Sequence, residues 1–279
     1  METLTKLLSI DFNFILIGFI VVFYSLEQVI NTQFKFNKRP QHLFHNALFQ
    51  VSFFICNIFY ATVTVFVIEW LNKHQIGLFY LIHIPVWLKL ILAVICFDFT
   101  NYWFHRTAHK IPLLWRFHRV HHSDASMDAS TNFRGHPIES IFWFGTSNIV
   151  AAAGFGLDLM SLGLFFLVAT PFFFFEHANF RFPKWLDKTV GLVFTTPNLH
   201  KVHHEQDQYY TDSNFSDIFI LWDKIFGTYK YKPVEQIKFG LKEFGEEKKQ
   251  TFWYQMKGPF IRVKRISSDE LTKVAKPTG

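Results

Sequence analysis

Asp98-Phe-Thr-Asn-Tyr-Trp-Phe-His105-Arg-Thr-Ala-His109 is the stretch that decides the architecture. It closes an apolar run that begins near residue 84. About 20 mostly apolar residues suffice to cross a bilayer as a helix, and 84–104 meets that length. Residues four apart share one helix face. A span through this segment therefore carries His105 and His109 side by side at its end. An apolar span ending in a pair of imidazoles points to a membrane protein with a metal centre at the membrane boundary.

Two more clusters stand downstream, His118-Arg-Val-His121-His122 and His200-Lys-Val-His203-His204. Ten of the 14 histidines fall between His105 and His204, eight of them in these three clusters. Neutral imidazole is a strong ligand for iron, copper and zinc. Helix residues three or four apart lie about 5–6 Å from each other at Cβ, so each cluster can aim two or three rings at one point. Structural zinc takes about four ligands, so eight ask for two metals. Surface histidines on basic amphipathic segments do not account for the repeat. A closed zinc site usually adds cysteine, whereas Cys56 and Cys96 lie in separate apolar runs and read as buried thiols rather than a disulfide.

Composition supports a membrane setting. Half of the 279 residues are hydrophobic, 37 are Phe, and 18% are charged, against about 25% in soluble domains. Candidate spans are 12–30, 46–70 and 84–104, with a fourth apolar region at 138–176. The last is broken near Gly154-Phe-Gly156-Leu-Asp158 and predicts a hairpin of two short helices. Trp70, Trp87, Trp103 and Trp185 suit interfacial positions. Met1 to Asp11 lacks a strong basic region and a cleavage site, so the first run reads as an uncleaved span. The expected fold is all-α and integral to the membrane, with four to five embedded helices and a cytoplasmic helical cap carrying a histidine-rich dimetal site.

Orientation follows from basic residues in short loops. Lys35, Lys38 and Arg39 follow the first span, only Lys73 the second, and Arg106, Lys110, Arg116 and Arg119 the third. The clusters and the C-terminus are therefore expected to face the cytoplasm and the N-terminus the other side. His42 and His45 read as loop or interface residues, His74 and His83 as residues of the opposite loop. The net charge of +6 owes much to the last fifty residues, including Lys230-Tyr-Lys232, Lys248-Lys249 and Arg262-Val-Lys-Arg265. A basic tail facing anionic lipid explains it, and no nucleic-acid partner is expected. The expected units are 1–83 for N-terminal spans, 84–230 for the catalytic region and 231–279 for the tail. Pro112 separates two helices between His109 and His118. Thr196 and Pro197 suit the cap and first turn of another.

From Asp98 to Tyr229 the chain resembles the fatty acid hydroxylase/sterol desaturase superfamily of integral-membrane di-iron proteins, in particular its bacterial sterol-desaturase-like and alkylglycerol monooxygenase branches. Besides the three clusters, the resemblance rests on Asn132-Phe-Arg-Gly-His136-Pro, Phe175-Glu-His177-Ala-Asn179 and Leu221-Trp-Asp-Lys-Ile-Phe-Gly-Thr-Tyr229. The first 80 residues carry no matching motif. The resemblance implies two iron ions, with zinc as a substitute after heterologous expression, and O2 as co-substrate. It implies attack on C–H bonds of a membrane lipid: sterol, fatty acyl, sphingoid or ether lipid. It adds His136 and His177 to the ligands; by themselves His136 reads equally as a loop residue and His177 as a core histidine.

Ligating histidines usually donate their second N–H to a carboxylate or carbonyl. Candidates are Asp98, Asn101, Asp124, Asp128, Glu176, Asn179 and Asp223, Asp98 foremost because a carboxylate inside an apolar span needs a partner. The substrate path is expected along the third span and the 138–176 hairpin, with Phe172 to Phe175 as an apolar wall; lipid-facing packing is the plain alternative. No Gly-rich flavin or nicotinamide fingerprint is present, so electrons are expected from an external ferredoxin, cytochrome or reductase. Desaturation is the alternative reaction. A membrane metal transporter and a non-catalytic lipid-binding protein are alternatives of other classes. Transport would place ligands at mid-membrane on several spans, and complete motifs disfavour a non-catalytic relative.

Overall fold

The computed structural model describes residues 12–30, 32–35, 38–139 and 141–262. The N-terminal segment 1–11 and the basic tail from Val263 onward, including most of Arg262-Val-Lys-Arg265, lie outside the described residues. The regular secondary structure of the described chain is helical, and its only sheet-like pairings there are two isolated bridges, Thr32 with Phe180 and Glu205 with Phe239.

Helix α1 (Phe12–Val29) is followed by α2 (Arg39–Lys73) and α3 (Val86–Lys110). Among the described residues three helices are long and apolar enough to cross a membrane: α2, α3 and the later Leu159–His177. At about 1.5 Å per residue the 35 residues of α2 span roughly 52 Å, well beyond a hydrocarbon core of about 30 Å. Expected at 46–70, this helix extends back to Arg39 because no breaker interrupts it and Pro40 fits its first turn. That extension corrects the reading of His42 and His45 as loop or interface residues: both stand on α2. His42 Nε2 bonds the Asp124 carboxylate at 2.9 Å, and His45 Nδ1 accepts from Phe252 N. His74 caps the far end of α2, exposed, and His83 is an exposed loop residue as expected.

Helix α3 stops at Lys110, and α4 (Pro112–His122) restarts with proline in its first turn. The apolar region after residue 140 forms a π-helical turn (Ile141–Ser147), α5 (Asn148–Phe155) and α6 (Leu159–His177). The break falls at Gly156, whose φ of 74° is left-handed, and Asp158 caps α6 by accepting from Ser161 N. The second arm of the expected short hairpin is thus a helix of crossing length, 19 residues ending at His177. The tight turn has a packing reason: a Cβ at Gly77 (φ 122°) would meet Gly156 N at 2.0 Å.

The main core lies between α3, α5, α6 and the far half of α2. Phe97 stacks on Phe165 at 5.2 Å, with Ile68, Ala93, Leu157 and Ala169 buried around them. Trp70, Trp87, Trp103 and Trp185 are exposed, as interfacial residues would be. At the other end a cap is built from α4, α7 (Pro197–His203) and the segment 231–262. Thr196 caps α7 and Pro197 opens it, as the sequence predicts. Val234 and Ile237 bury against Val202, and Leu241 and Phe244 against Trp115. Arg119 donates to the Gly258 and Ile261 carbonyls.

Candidate metal centre

Nine of the ten expected ligand histidines assemble into two groups, each with its ring nitrogens within 4.8 Å of one another. One holds His105, His109, His118, His122 and His203; the other holds His121, His177, His200 and His204. Each His-x-x-His-His motif is split. The i, i+4 pair of α4, His118 and His122, serves the first group while His121 serves the second. On α7, His200 and His204 serve the second and His203 crosses to the first. The i+3 ring points about 60° away from residue i and about 100° away from residue i+4, since a helix turns about 100° per residue. Helices α4 and α7 thereby share both groups, and α3 and α6 each complete one.

The second nitrogen of most rings is held by the protein. Nδ1 of His105 donates to the Phe215 carbonyl (2.7 Å), that of His121 to Arg134 (2.9 Å), that of His177 to Phe173 (2.7 Å) and that of His203 to Ser213 (2.7 Å). His109 Nδ1 lies 3.2 Å from Asp212 and His118 Nδ1 2.5 Å from Glu139. A carbonyl can only accept, so Nδ1 carries the proton and Nε2 of these neutral rings is a bare lone pair. Two such lone pairs then face each other, His121 Nε2 and His177 Nε2 at 3.1 Å, and His200 Nε2 stands 3.2 Å from His177 Nε2. Nε2 of His105 and of His203 is buried with no hydrogen-bond partner among the described residues. Converging buried acceptors without donors fit cations, and an all-imidazole set suits iron, zinc, copper or nickel. The residues present therefore fit two metal ions.

Burial and the proximity of neighbouring rings push His122, His200, His203 and His204 well below the ordinary imidazole range. His121 falls to about 4 for the same reasons, desolvation first and then His118. These rings are neutral at physiological pH, the protonation state ligation requires.

His136 stands outside both groups. It is buried beside Phe117, and its Nδ1 accepts from Ile138 N at 3.2 Å. The expected supporting residues act less directly than a carboxylate–histidine contact. Asp98 accepts from Ile218 N, Phe219 N and Trp222 Nε1 at 2.8–3.1 Å. Asp223 accepts from Phe215 N and Ser216 N. Both carboxylates fix the loop whose Ser213 and Phe215 carbonyls hold His203 and His105. Asn101 accepts from Ser147, and Asp124 binds His42 and Thr131. Asn179 pairs with the Phe34 backbone, and Asp128 caps the short turn Ala129–Phe133. Glu176 comes nearest the rings, 3.4 Å from His200 Nδ1 and 3.7 Å from His177 Nδ1. Sequence reasoning missed Glu139 and Asp212, the two carboxylates that, among the described residues, hydrogen-bond a histidine of either group. Glu139 lies three residues past His136, a proximity that could have marked it. The carbonyls leave no trace in sequence, because every residue has one.

Both groups open on one cavity of about 290 Å³, lined by His105 and His118 from the first and by His121, His177 and His200 from the second. Its far walls are apolar, with Phe53, Val65, Leu162, Phe166 and Phe173. Of the four expected wall residues Phe172–Phe175, only Phe173 faces it, because successive helix residues point in different directions. Phe172 stacks on Phe194, Phe174 on Phe23, and Phe175 packs against Phe180 and Phe182. The expected wall from the third span is also revised: α3 contributes His105, whereas α2 lines the cavity from Gln50 to Val65.

Comparison with known proteins agrees with this geometry. Residues 90–228 match the family model described as fatty acid hydroxylase. The chain is 32% identical to human alkylglycerol monooxygenase over 164 residues, 56% of this chain and 33% of that protein. It is 29% identical to an ornithine lipid hydroxylase of Rhizobium tropici over 154 residues, 53% of this chain and 44% of that one. It is 30% identical to methylsterol monooxygenase 2-2 of Arabidopsis thaliana over 160 residues, 56% of this chain and 59% of that one. The matched stretch thus spans from a third to under two thirds of these relatives. No solved structure matches. The matched residues contain every histidine of the two groups and the carboxylates and carbonyls that hold them, and the chain belongs to the fatty acid hydroxylase family.

Proposed function

We propose that the protein is an O2-dependent di-iron monooxygenase that hydroxylates a C–H bond of a membrane lipid. The observation that carries this reading is the shared cavity: rings of both histidine groups form one end of an apolar chamber between membrane-length helices. Three relatives named as lipid monooxygenases or hydroxylases support it. Iron, when bound, supplies redox chemistry with O2. The chain's own part is to hold the rings in place, six of them through a partner at Nδ1, to place a lipid carbon beside them and to keep bulk water out of a largely apolar chamber. Electrons come from a separate donor such as a ferredoxin, a cytochrome or a reductase. In this reading 84–230 is the catalytic region, 1–83 adds membrane helices and 231–279 adds a basic face. The histidine site faces the cytoplasm, as the basic residues Lys35, Lys38, Arg39, Arg116 and Arg119 around the cap suggest.

The test is lipid profiling of cells with and without the gene, grown under oxygen-18 gas. A product that carries one labelled oxygen and disappears in the knockout is expected. A product with a new double bond and no label would replace hydroxylation by desaturation. Unchanged lipids would overturn the oxygenase reading.

A further inference from the structure

Helix α2 contributes a polar stripe to the cavity. Gln50, Asn57 and Thr64 are spaced seven residues apart, two helical turns, and all three line the chamber. From Gln50 to Thr64 the stripe runs about 21 Å at 1.5 Å per residue. It lies outside residues 90–228 that carry the family match. None of the three side chains makes a hydrogen bond among the described residues. The contrast with other threonines on membrane helices is informative. Thr62, Thr100 and Thr170 each return the hydroxyl to the carbonyl four residues earlier. Thr64 does not, although it is buried, and it faces the π-helical turn where Gly145 leaves room beside its Oγ1. Polar groups at membrane depth are costly without a partner. A purely hydrocarbon occupant would leave all three unpaired.

We propose that this stripe is a hydrogen-bonding subsite, and that the cavity selects lipids whose buried portion carries a hydroxyl or another hydrogen-bonding group along the chain. The apolar wall of Phe53, Phe166 and Phe173 holds the methylenes, while Asn57 and Thr64 read the polar group at a fixed depth below the histidines. Exposed Ala61 and Val65 line the same cavity on α2, so the chamber opens sideways toward the bilayer at the level of the subsite. The substrate class inferred here rests on the oxygenase reading; the subsite itself does not.

The test is competition binding on purified, metal-loaded protein in nanodiscs, with stearic acid and its positional monohydroxy isomers as probes. Wild type is expected to prefer one isomer, or a narrow set of them, over stearic acid by about three- to tenfold, the net effect of one neutral hydrogen bond. Thr64→Val, nearly equal in volume, and Asn57→Leu should remove the preference while two metal ions per chain remain as proof of folding. Equal binding of all isomers by wild type, as a water-filled stripe would give, overturns the proposal. So does a preference that survives in both variants. The binding readout needs no turnover. A preference without O2-dependent product keeps the subsite and defeats the oxygenase reading, and turnover without preference does the reverse.

Discussion

Nε2 of His121 and Nε2 of His177 face each other at 3.1 Å, each on a ring whose Nδ1 is already committed to a backbone carbonyl. Neither can donate to the other while neutral, so the pair is repulsive until a cation lies between them. A bound cation would therefore stabilise the four-histidine group, and the rest of the fold holds the lone pairs together against their repulsion.

Replacing one ring in each group should give different metal contents. His204→Ala leaves three imidazoles in its group and is expected to lower the metal from two ions to one per chain. His122→Ala leaves four and should keep two ions at saturating metal. Turnover should be lost in both, because both groups border the cavity, and His74→Ala should behave as wild type. Elemental analysis alongside an activity assay checks this; equal metal content in all three variants would contradict the division into two groups.

Acid should release the metal and loosen the cap. His121 has its folded value lowered from 6.5 to about 4, and His122, His200, His203 and His204 are lowered further by burial. The unfolded chain thus binds more protons, so the contribution is fully present above about 6.5 and is lost as pH falls toward the folded values. Metal ligation strengthens the same direction. Retained metal and Tm should both decline from pH 6.5 down to 4; a Tm that rises over this window would refute it.

Glu139→Gln should weaken the five-histidine site selectively. The carboxylate accepts from His118 Nδ1 and orients that ring. Loss of such a partner typically costs about 10–100-fold in metal affinity or activity. Competition with a chelator is expected to remove one ion early and the second at the wild-type rate. Simultaneous loss of both would assign Glu139 to general stability.

Asp98→Asn should behave as a stability variant. Three donors converge on its oxygens, and an amide offers one acceptor in place of two. A cost of about 1–3 kcal/mol is expected from the unsatisfied donors. The loop carrying Ser213 and Phe215 should become the most exchange-prone part of the cap, with metal loss following unfolding rather than preceding it. Hydrogen exchange separates the two orders.

The sequence by itself determined the kind of donor and the segments that carry it, and its count of histidines asked for two metal positions. Those properties are local. Hydropathy over some twenty residues marks a span, proline marks the starts of α4 and α7, and the 3.6-residue period puts His118 beside His122. Even the break at Gly156 was visible, because a left-handed residue favours glycine. Other features depend on residues far apart in the chain. Only the tertiary packing that brings α4 and α7 to the same two groups sends His121 and His203 apart, and only the 215 loop brings a carbonyl to His105 across 110 residues. The tertiary structure also moved the substrate wall to α2, whose polar face had no meaning until α6 and the π-helical turn closed the chamber against it. Periodicity says which side chains share a face; it cannot say what that face will meet.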